Sequence, residues 1–280
     1  MLFSVVVLYK PDNLVKQRLL SLASESDFLF IVVNQSTYPE ELSNLTTNSK
    51  IILLGDNLGL AKALNIGIKE CFAYKDCNFI ALFDQDSNIC KGTLRSIEKL
   101  FLNQKDKIAA IGHFITDVKI KLSNNLHLPI TSIVDYTITS GTVYSRSALE
   151  TIGLMDETFF IDFIDYEWHY RAKQQGYITL IANHCRLFHN LGDDFIYFFG
   201  IRKPIHSNTI RHFYITRNQL ILINRKYITL KQKLIFTFKF LYRIPGYIVF
   251  SKNRLSTIRY IFKGVIDFVM NYKSFKNIKY

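Results

Sequence analysis

The residues best placed to do chemistry stand at the end of Phe79-Ile80-Ala81-Leu82-Phe83-Asp84-Gln85-Asp86-Ser87. An apolar run long enough for one buried strand ends there in two carboxylates one residue apart. Acids are costly to bury unless paired or metal-bound. Oxygen donors in this arrangement suit a hard divalent cation, and such cations often share their coordination with phosphates. An ordinary turn reads the same residues without chemistry, because Asp and Ser favour turns. A second acidic group lies further along: Asp162, Asp165 and Glu167 fall within six residues of one another in Phe159–Arg171. A carboxylate held beside a hydroxyl can take its proton as that oxygen attacks, which is general-base work. Acids at a helix start also complement its dipole, so position alone does not assign the role. If the segment is helical, Asp162 and Asp165 share a face and Glu167 points elsewhere. His189, in the polar stretch His189-Asn190-Leu191-Gly192-Asp193, is a loop histidine able to ligate a metal or to make plain hydrogen bonds.

The elements that must carry these groups alternate. Phe3–Tyr9, Phe28–Asn34, Ile51–Leu54, Phe79–Phe83 and Ile108–Ile111 read as strands, with helices at Leu14–Ser24, Ala61–Tyr74 and Thr93–Leu102 between them. Such β-α alternation predicts an α/β fold, a mainly parallel sheet with helices on both faces. Its ligand site belongs at the carboxyl ends of the strands. Asp56-Asn57-Leu58-Gly59 is a turn before the second of these helices. Further on, Ser140-Gly141-Thr142 is a tight turn before a short strand, Ala148–Ile152 a helix ended by Gly153, and Ile178–Ala182 a strand.

Charge divides the 280-residue chain. The net charge is +12, yet residues 201–280 carry 17 Lys and Arg against one acid, Asp267, so the first 200 residues are slightly acidic. In the basic part Leu255, Ile258, Phe262, Val265, Ile266 and Val269 fall at helical spacing on one face, with Arg254, Arg259 and Lys263 off it. A basic helix with an apolar face reads as membrane-surface or partner-binding, and Pro245-Gly246 is expected to break any helix before it. A basic tract also suits nucleic acid, but no recognition motif accompanies it here, and no nucleic-acid partner is expected. Four cysteines without CxxC pairs fit buried thiols in a reducing compartment. Met1–Tyr9 reads as a first strand rather than a signal peptide, and no apolar run reaches the length of a membrane span.

Four pieces in order resemble the nucleotide-sugar glycosyltransferases of family 2, which have the Rossmann-like GT-A fold, and most of all their rhamnosyltransferase-like members. They are Asn57-x-Gly59-x-x-x-Ala63-x-Asn65-x-Gly67, Asp84-Gln85-Asp86-Ser87, Phe160–Trp168 and His189-x-x-Gly192-Asp193. The resemblance spans roughly 1–225, implying a glycosyltransferase domain there and a basic amphipathic helical appendage over 226–280. It implies inverting sugar transfer, most readily of rhamnose from dTDP-rhamnose, onto a lipid-linked or saccharide acceptor of a bacterial surface polysaccharide. Galactofuranose or another hexose is the nearest alternative, and a non-catalytic assembly partner a more distant one. Asp84-Gln85-Asp86 matches the family's DxD motif, so Asp84, Asp86 and His189 are implied ligands of Mg2+ or Mn2+. Asp165 matches the general base. Tyr9, Asn34, Asp56, Asn57, Gly59, Asn65, Asp84, Gln85 and Arg217 are implied on the donor, and Asp162, Glu167 and Trp168 on the acceptor. Arg211 and Asn218 lie in the same family-like segment as Arg217, where arginine can grip phosphate bidentately. One departure stands out: relatives carry an Asp after the second strand for the nucleotide base, and Val33 of Val33-Asn34-Gln35-Ser36 occupies that place. The implied location is cytoplasmic, on the inner face of the cell membrane.

Overall fold

Seven consecutive buried residues, Leu2–Leu8, form strand β1. A strand with no polar alternation needs cover on both faces, which a parallel sheet flanked by helices supplies. The computed structural model describes residues 1–38, 42, 45–103, 107–116, 129–188, 194–198, 201–205 and 208–276. After β1 come α1 (Val15–Glu25), β2 (Phe28–Val33), β3 (Ser49–Leu53), α2 (Leu60–Phe72) and β4 (Phe79–Asp84). Next are β5 (Asn88–Ile89), α3 (Thr93–Asn103), β6 (Ile108–Thr116), β7 (Thr131–Val134) and β8 (Thr142–Ser145). Then α4 (Arg146–Ile152), α5 (Ile164–Gln174) and β9 (Ile178–Phe188) complete the first of two compact units, Met1–Phe160 with Ile164–His189.

Its sheet runs β3-β2-β1-β4-β8-β6-β9-β5, with β7 on β9. The β1–β2, β2–β3, β1–β4 and β6–β9 pairs are parallel. The β4–β8, β6–β8, β7–β9 and β5–β9 pairs are antiparallel. The expected parallel pairing runs through the first four strands in spatial order and returns at β6–β9, with antiparallel pairs at β8, β7 and β5. Strands β7 and β8 are four residues each, too short to declare a direction through their composition. One face of the sheet packs Leu2, Val6, Leu8, Leu29 and Ile31 with Leu19 and Leu22 of α1 and Leu94 and Ile97 of α3. The other face receives α2 through Gly67: a Cβ there would come within 2.3 Å of Val5 Cγ1 and 3.1 Å of Val32 Cγ2. Only glycine allows this approach of helix to sheet.

The second unit comprises Ile161–Phe163 and Asn190–Tyr280. Its elements are β10 (Asp194–Phe198), β11 (Ile201–Ile205), α6 (Arg211–Asn224), α7 (Leu230–Phe250), α8 (Arg254–Met270) and α9 (Tyr272–Lys276). The β10–β11 hairpin is antiparallel. The family resemblance implied a domain ending near 225; α6 packs with the helices that follow it. Gly264 of α8 lies against α6, where a Cβ would come within 2.7 Å of the Phe213 carbonyl. The expected break at Pro245-Gly246 does not occur, since α7 continues from Leu230 to Phe250. Proline removes one helical hydrogen bond and kinks a helix, but packing offsets that loss here. Tyr247, in the turn after the proline, rests its ring 4.6 Å from that of His212 on α6.

Thr229 and Gln232 start α7 with a reciprocal capping box. Both α7 and α8 turn a narrow face inward: Gln232 and Phe236 on one, Thr257, Ile261 and Gly264 on the other. Their outward faces are apolar. Leu234, Phe238, Leu241 and Val249 of α7, and Leu255, Ile258, Phe262, Ile266 and Val269 of α8, are all exposed. No helix of the described residues is long and apolar enough to cross a membrane.

Candidate active site

The carboxyl ends of β1, β2 and β4 bring Tyr9, Asn34 and Asp84–Asp86 to one edge of the first unit's sheet. The chain leaves β1 toward β2 and β3, then returns through α2 to β4 on the other side of β1. The β1–β4 junction is thus the topological switch point, where open α/β sheets bind ligands. Gln85 bridges that junction. Its Oε1 accepts from Tyr9 N at 2.8 Å and its Nε2 donates to Tyr9 O at 3.0 Å. Gln85 was expected on the donor; its amide is instead committed to the Tyr9 backbone. Gln35 Oε1 accepts from Lys10 N at 2.7 Å, steadying the next residue, whose φ is 48°. The Tyr9 ring is 41% exposed, open to a ligand.

Asp84 and Asp86 are half-buried, and Ser140 supports them from below. Ser140 Oγ accepts from Asp84 N at 3.0 Å and is hydrogen-bonded to Ser87 Oγ. Gly141 N donates to Leu82 O at 2.7 Å, seating this turn against β4. Asp165, in the first turn of α5, is also half-buried. Tyr144 links the two acidic places. Burial raises its pKa most, and the charges of Asp165 and then Asp84 push the same way.

Asn34 is buried, with Oδ1 accepting from Leu58 N at 2.8 Å and Nδ2 donating to Asn57 Oδ1 at 3.0 Å. Asn57 Oδ1 also accepts from Gly59 N at 3.1 Å. These amides tie the end of β2 to the turn before α2, while Asp56 stands exposed. Gly59 has φ of 88° and is pressed by Phe160, whose Cδ2 lies 2.6 Å from where a Cβ would be. Leu60 N donates to Phe160 O at 2.6 Å, so Gly59 serves a turn and a close approach.

Several expected site residues prove structural. Asn65 is buried, exchanges hydrogen bonds with the Met155 backbone at 2.9 and 3.0 Å, and donates to Glu157. It joins α2 to the segment after α4 rather than reaching a donor. Glu167 is fully buried, its two oxygens 2.8 and 2.9 Å from Arg171, which also donates to the Ile152 and Leu154 carbonyls. Trp168 is fully buried with Nε1 donating to Gly153 O at 2.8 Å. Neither side chain has the surface an acceptor would need. Asp162 lies outside α5 with φ of 67°, so it shares no helical face with Asp165.

In the second unit Arg211 is bonded to Asp162, and Asn218 to the carbonyls of Ile161 and Asp162. Arg217 Nε donates to Asn218 Oδ1 at 3.0 Å, and its guanidinium lies 5.3 Å from the Phe213 ring and 5.4 Å from that of Tyr214. His189 lies outside the described residues.

Sequence reasoning missed Gln35, Ser140 and Tyr144. It also missed Tyr136 and Tyr166, whose hydroxyls are 2.9 Å apart and ring centroids 4.1 Å apart, next to Asp165. Only Tyr166, adjacent to a candidate base, carried a local signal.

Two carboxylates held at a strand end fit a magnesium or manganese ion, both of which favour oxygen ligands. Among the described residues no group of three His, Cys, Asp or Glu side chains gathers to complete a site.

The strand order and strand-end acids are those of the GT-A fold, and the solved structures it resembles have that fold. The S. aureus TarS fragment 1–349 in complex with UDP-GlcNAc matches at a TM-score of 0.61 and 17% identity, over 96% of this chain and 81% of that one. GalNAc-T7 with UDP, GalNAc and Mn2+ matches at 0.60 and 11%, over 98% of this chain and 57% of that one. Longer TarS matches at 0.57 and 18%, over 90% of this chain, which spans 44% of its length. No family model matches the sequence. The dTDP-rhamnosyl transferase RfbF of Shigella flexneri is 32% identical over 246 residues, 82% of each chain. This chain therefore belongs to the family 2 glycosyltransferases of the GT-A fold, in their rhamnosyltransferase-like group.

Proposed function

We propose that the protein transfers L-rhamnose from dTDP-rhamnose, with inversion, to a lipid-linked or saccharide acceptor in bacterial surface polysaccharide synthesis. The observation that carries this is the Asp84–Asp86 pair at the carboxyl end of β4, beside the β1–β4 switch point, in a chain 32% identical to a dTDP-rhamnosyl transferase. The relative's name supports rhamnose and dTDP, and the UDP-sugar complex of TarS supports a nucleotide-sugar donor.

Asp165 takes the proton of the acceptor hydroxyl as that oxygen attacks the anomeric carbon. One base opposite one leaving group gives a single displacement, hence inversion. Asp84 and Asp86 would hold Mg2+ or Mn2+, with His189 a further ligand, and such an ion when bound would supply Lewis-acid stabilisation of the departing diphosphate. GalNAc-T7 was solved with Mn2+, which supports a divalent ion. The exposed Tyr9 ring offers a face to the donor's nucleoside; the Gln85 amide keeps its backbone in place, and Gln35 holds the backbone of Lys10 beside it.

The apolar outer faces of α7 and α8, set among cations, support residence on an anionic membrane surface where a lipid-linked acceptor lies. Each cation near such a surface contributes about 1 kcal/mol, and apolar burial adds to it. The test is a donor screen with purified protein, with and without Mg2+ or Mn2+. Metal-dependent turnover of dTDP-rhamnose is expected. No turnover of it beside good turnover of a galactofuranose or hexose donor would replace the rhamnose assignment.

A further inference from the structure

Ile161–Phe163 groups with the second unit, although its chain neighbours Phe160 and Ile164 belong to the first. Asp162 and Phe163 each have φ of 67°. Aspartate visits this left-handed region with local hydrogen bonding, but a bulky phenylalanine there is strained. Strain of this kind persists only where the surroundings over-determine it.

Three side chains of the second unit do so. Asn218, fully buried on α6, donates through Nδ2 to the carbonyls of both Ile161, at 2.7 Å, and Asp162, at 3.0 Å. Arg211, two helical turns earlier, grips the Asp162 carboxylate with Nη2 2.8 Å from Oδ1 and Nε 3.0 Å from Oδ2. Arg243 of α7 holds its guanidinium 5.8 Å from the centre of the Phe163 ring. The three-residue strap is fixed at its carbonyls, its carboxylate and its ring.

The strap leads directly into α5. Ile164 opens that helix and Asp165 is the next residue. The left-handed pair thus stands immediately before the first turn of α5, which carries Asp165. We propose that Arg211 and Asn218 are positioning residues for the base, holding Ile161–Phe163 in left-handed backbone so that Asp165 meets the acceptor hydroxyl. The proposal rests on Asp165 being that base. Neither residue needs to touch substrate. The arginine must be arginine, because lysine cannot present the two-pronged grip on Asp162.

The test uses the full chain, the nucleotide sugar selected by the donor screen, and four variants: Arg211→Lys, Asn218→Ser, Asp162→Asn and Asp165→Asn. Asparagine tolerates left-handed backbone as aspartate does, so Asp162→Asn removes the ion pair and keeps the local conformation. We expect Arg211→Lys and Asn218→Ser to lower kcat about tenfold to a hundredfold, the scale of a small misplacement of a reacting group. Donor affinity, read by calorimetry, should stay within about twofold, a split that general loosening would not produce. Arg211→Lys combined with Asp162→Asn should lose no more than the worse single variant, since both act on one contact. Folded Arg211→Lys with kcat within about twofold of the unchanged chain overturns the proposal. If Asn218→Ser does not fold, Arg211→Lys alone decides the outcome, its side chain being 34% exposed. Ordinary turnover by Asp165→Asn would remove the base and this inference together. An inactive Asp165→Asn beside a fully active Arg211→Lys would remove the strap's role alone.

Discussion

Glu167 and Asp165 stand two positions apart on one helix, and their environments differ sharply, one fully buried and the other half-buried. Glu167 is fully buried against Arg171, which in turn holds two carbonyls beyond α4, so this pair fixes how α4 and α5 meet. Removing one partner of such a pair leaves an uncompensated buried charge. Glu167→Gln should therefore lower stability by about 3–5 kcal/mol in chemical denaturation, while folded protein keeps its turnover. Asp165→Asn should do the reverse. Transfer should fall by about 10²–10⁴-fold, the usual weight of general-base catalysis, with donor affinity and denaturation midpoint nearly unchanged. Asp86→Ala should abolish the response of turnover to added Mg2+ or Mn2+; a variant still stimulated by metal would take Asp86 out of the ligand set. At this scale the sequence supplied three acids within six residues and no means of sorting them. Burial against Arg171 sets Glu167 apart, and the ion pair with Arg211 sets Asp162 apart, through partners outside the acidic segment.

Among the elements, those that declared themselves in advance are β1, β2 and β4, whose unbroken apolar runs can only be strands covered on both faces. The Asp84–Asp86 turn was legible for the same reason, being where such a run stops. Asp162 was not. A helix drawn through it satisfies spacing alone, and only contacts from α6 reveal left-handed backbone. Pro245 misled in the other direction, because the Tyr247 ring that holds the helix together finds its partner, His212, on a different helix and not through local preference. Strand β7 escaped notice because four residues carry too little period to read.

The layer between sheet and helices also sets a pH dependence. Burial lowers the pKa of His113 to about 4 and of His169 to about 3. Both stay neutral in the folded chain, whereas the unfolded chain protonates them near pH 6.5. The unfolded state then binds more protons, so stability is full above pH 6.5 and falls as pH drops from there toward 4. The slope should be about 1.4 kcal/mol per pH unit for each imidazole. His113 or His169 resonances, assigned by the substitutions His113→Gln and His169→Gln, that titrate near 6.5 in the folded protein would contradict this.

At the scale of the whole chain, the family resemblance makes the basic appendage separable near residue 225 and truncation there the natural test of membrane residence. The packing of α6 with α7 and α8 changes that test, because removing α7 to α9 would bare Thr216 and Gln219 of α6. Substitution on the exposed faces is cleaner. Phe238 and Phe262 are 71% and 65% exposed, so Phe238→Glu with Phe262→Glu should leave folding and turnover of a water-soluble acceptor unchanged. Binding to anionic vesicles, measured by flotation, should fall sharply. Flotation equal to that of the unchanged chain would place the membrane contact elsewhere or nowhere.

Gly67 carries a consequence that reaches from one end of α2 to the other. The methyl of alanine at that position would collide with Val5, a stiff branched side chain locked inside the sheet. The rod it belongs to begins at Leu60, about 10 Å away, immediately after the knot of Asn34, Asn57 and Gly59. Tilted about such a fulcrum, α2 would disturb that knot first. A single carbon added in the dry interior would thus be felt as a weaker hold on the nucleotide sugar, by a substitution that never comes near it.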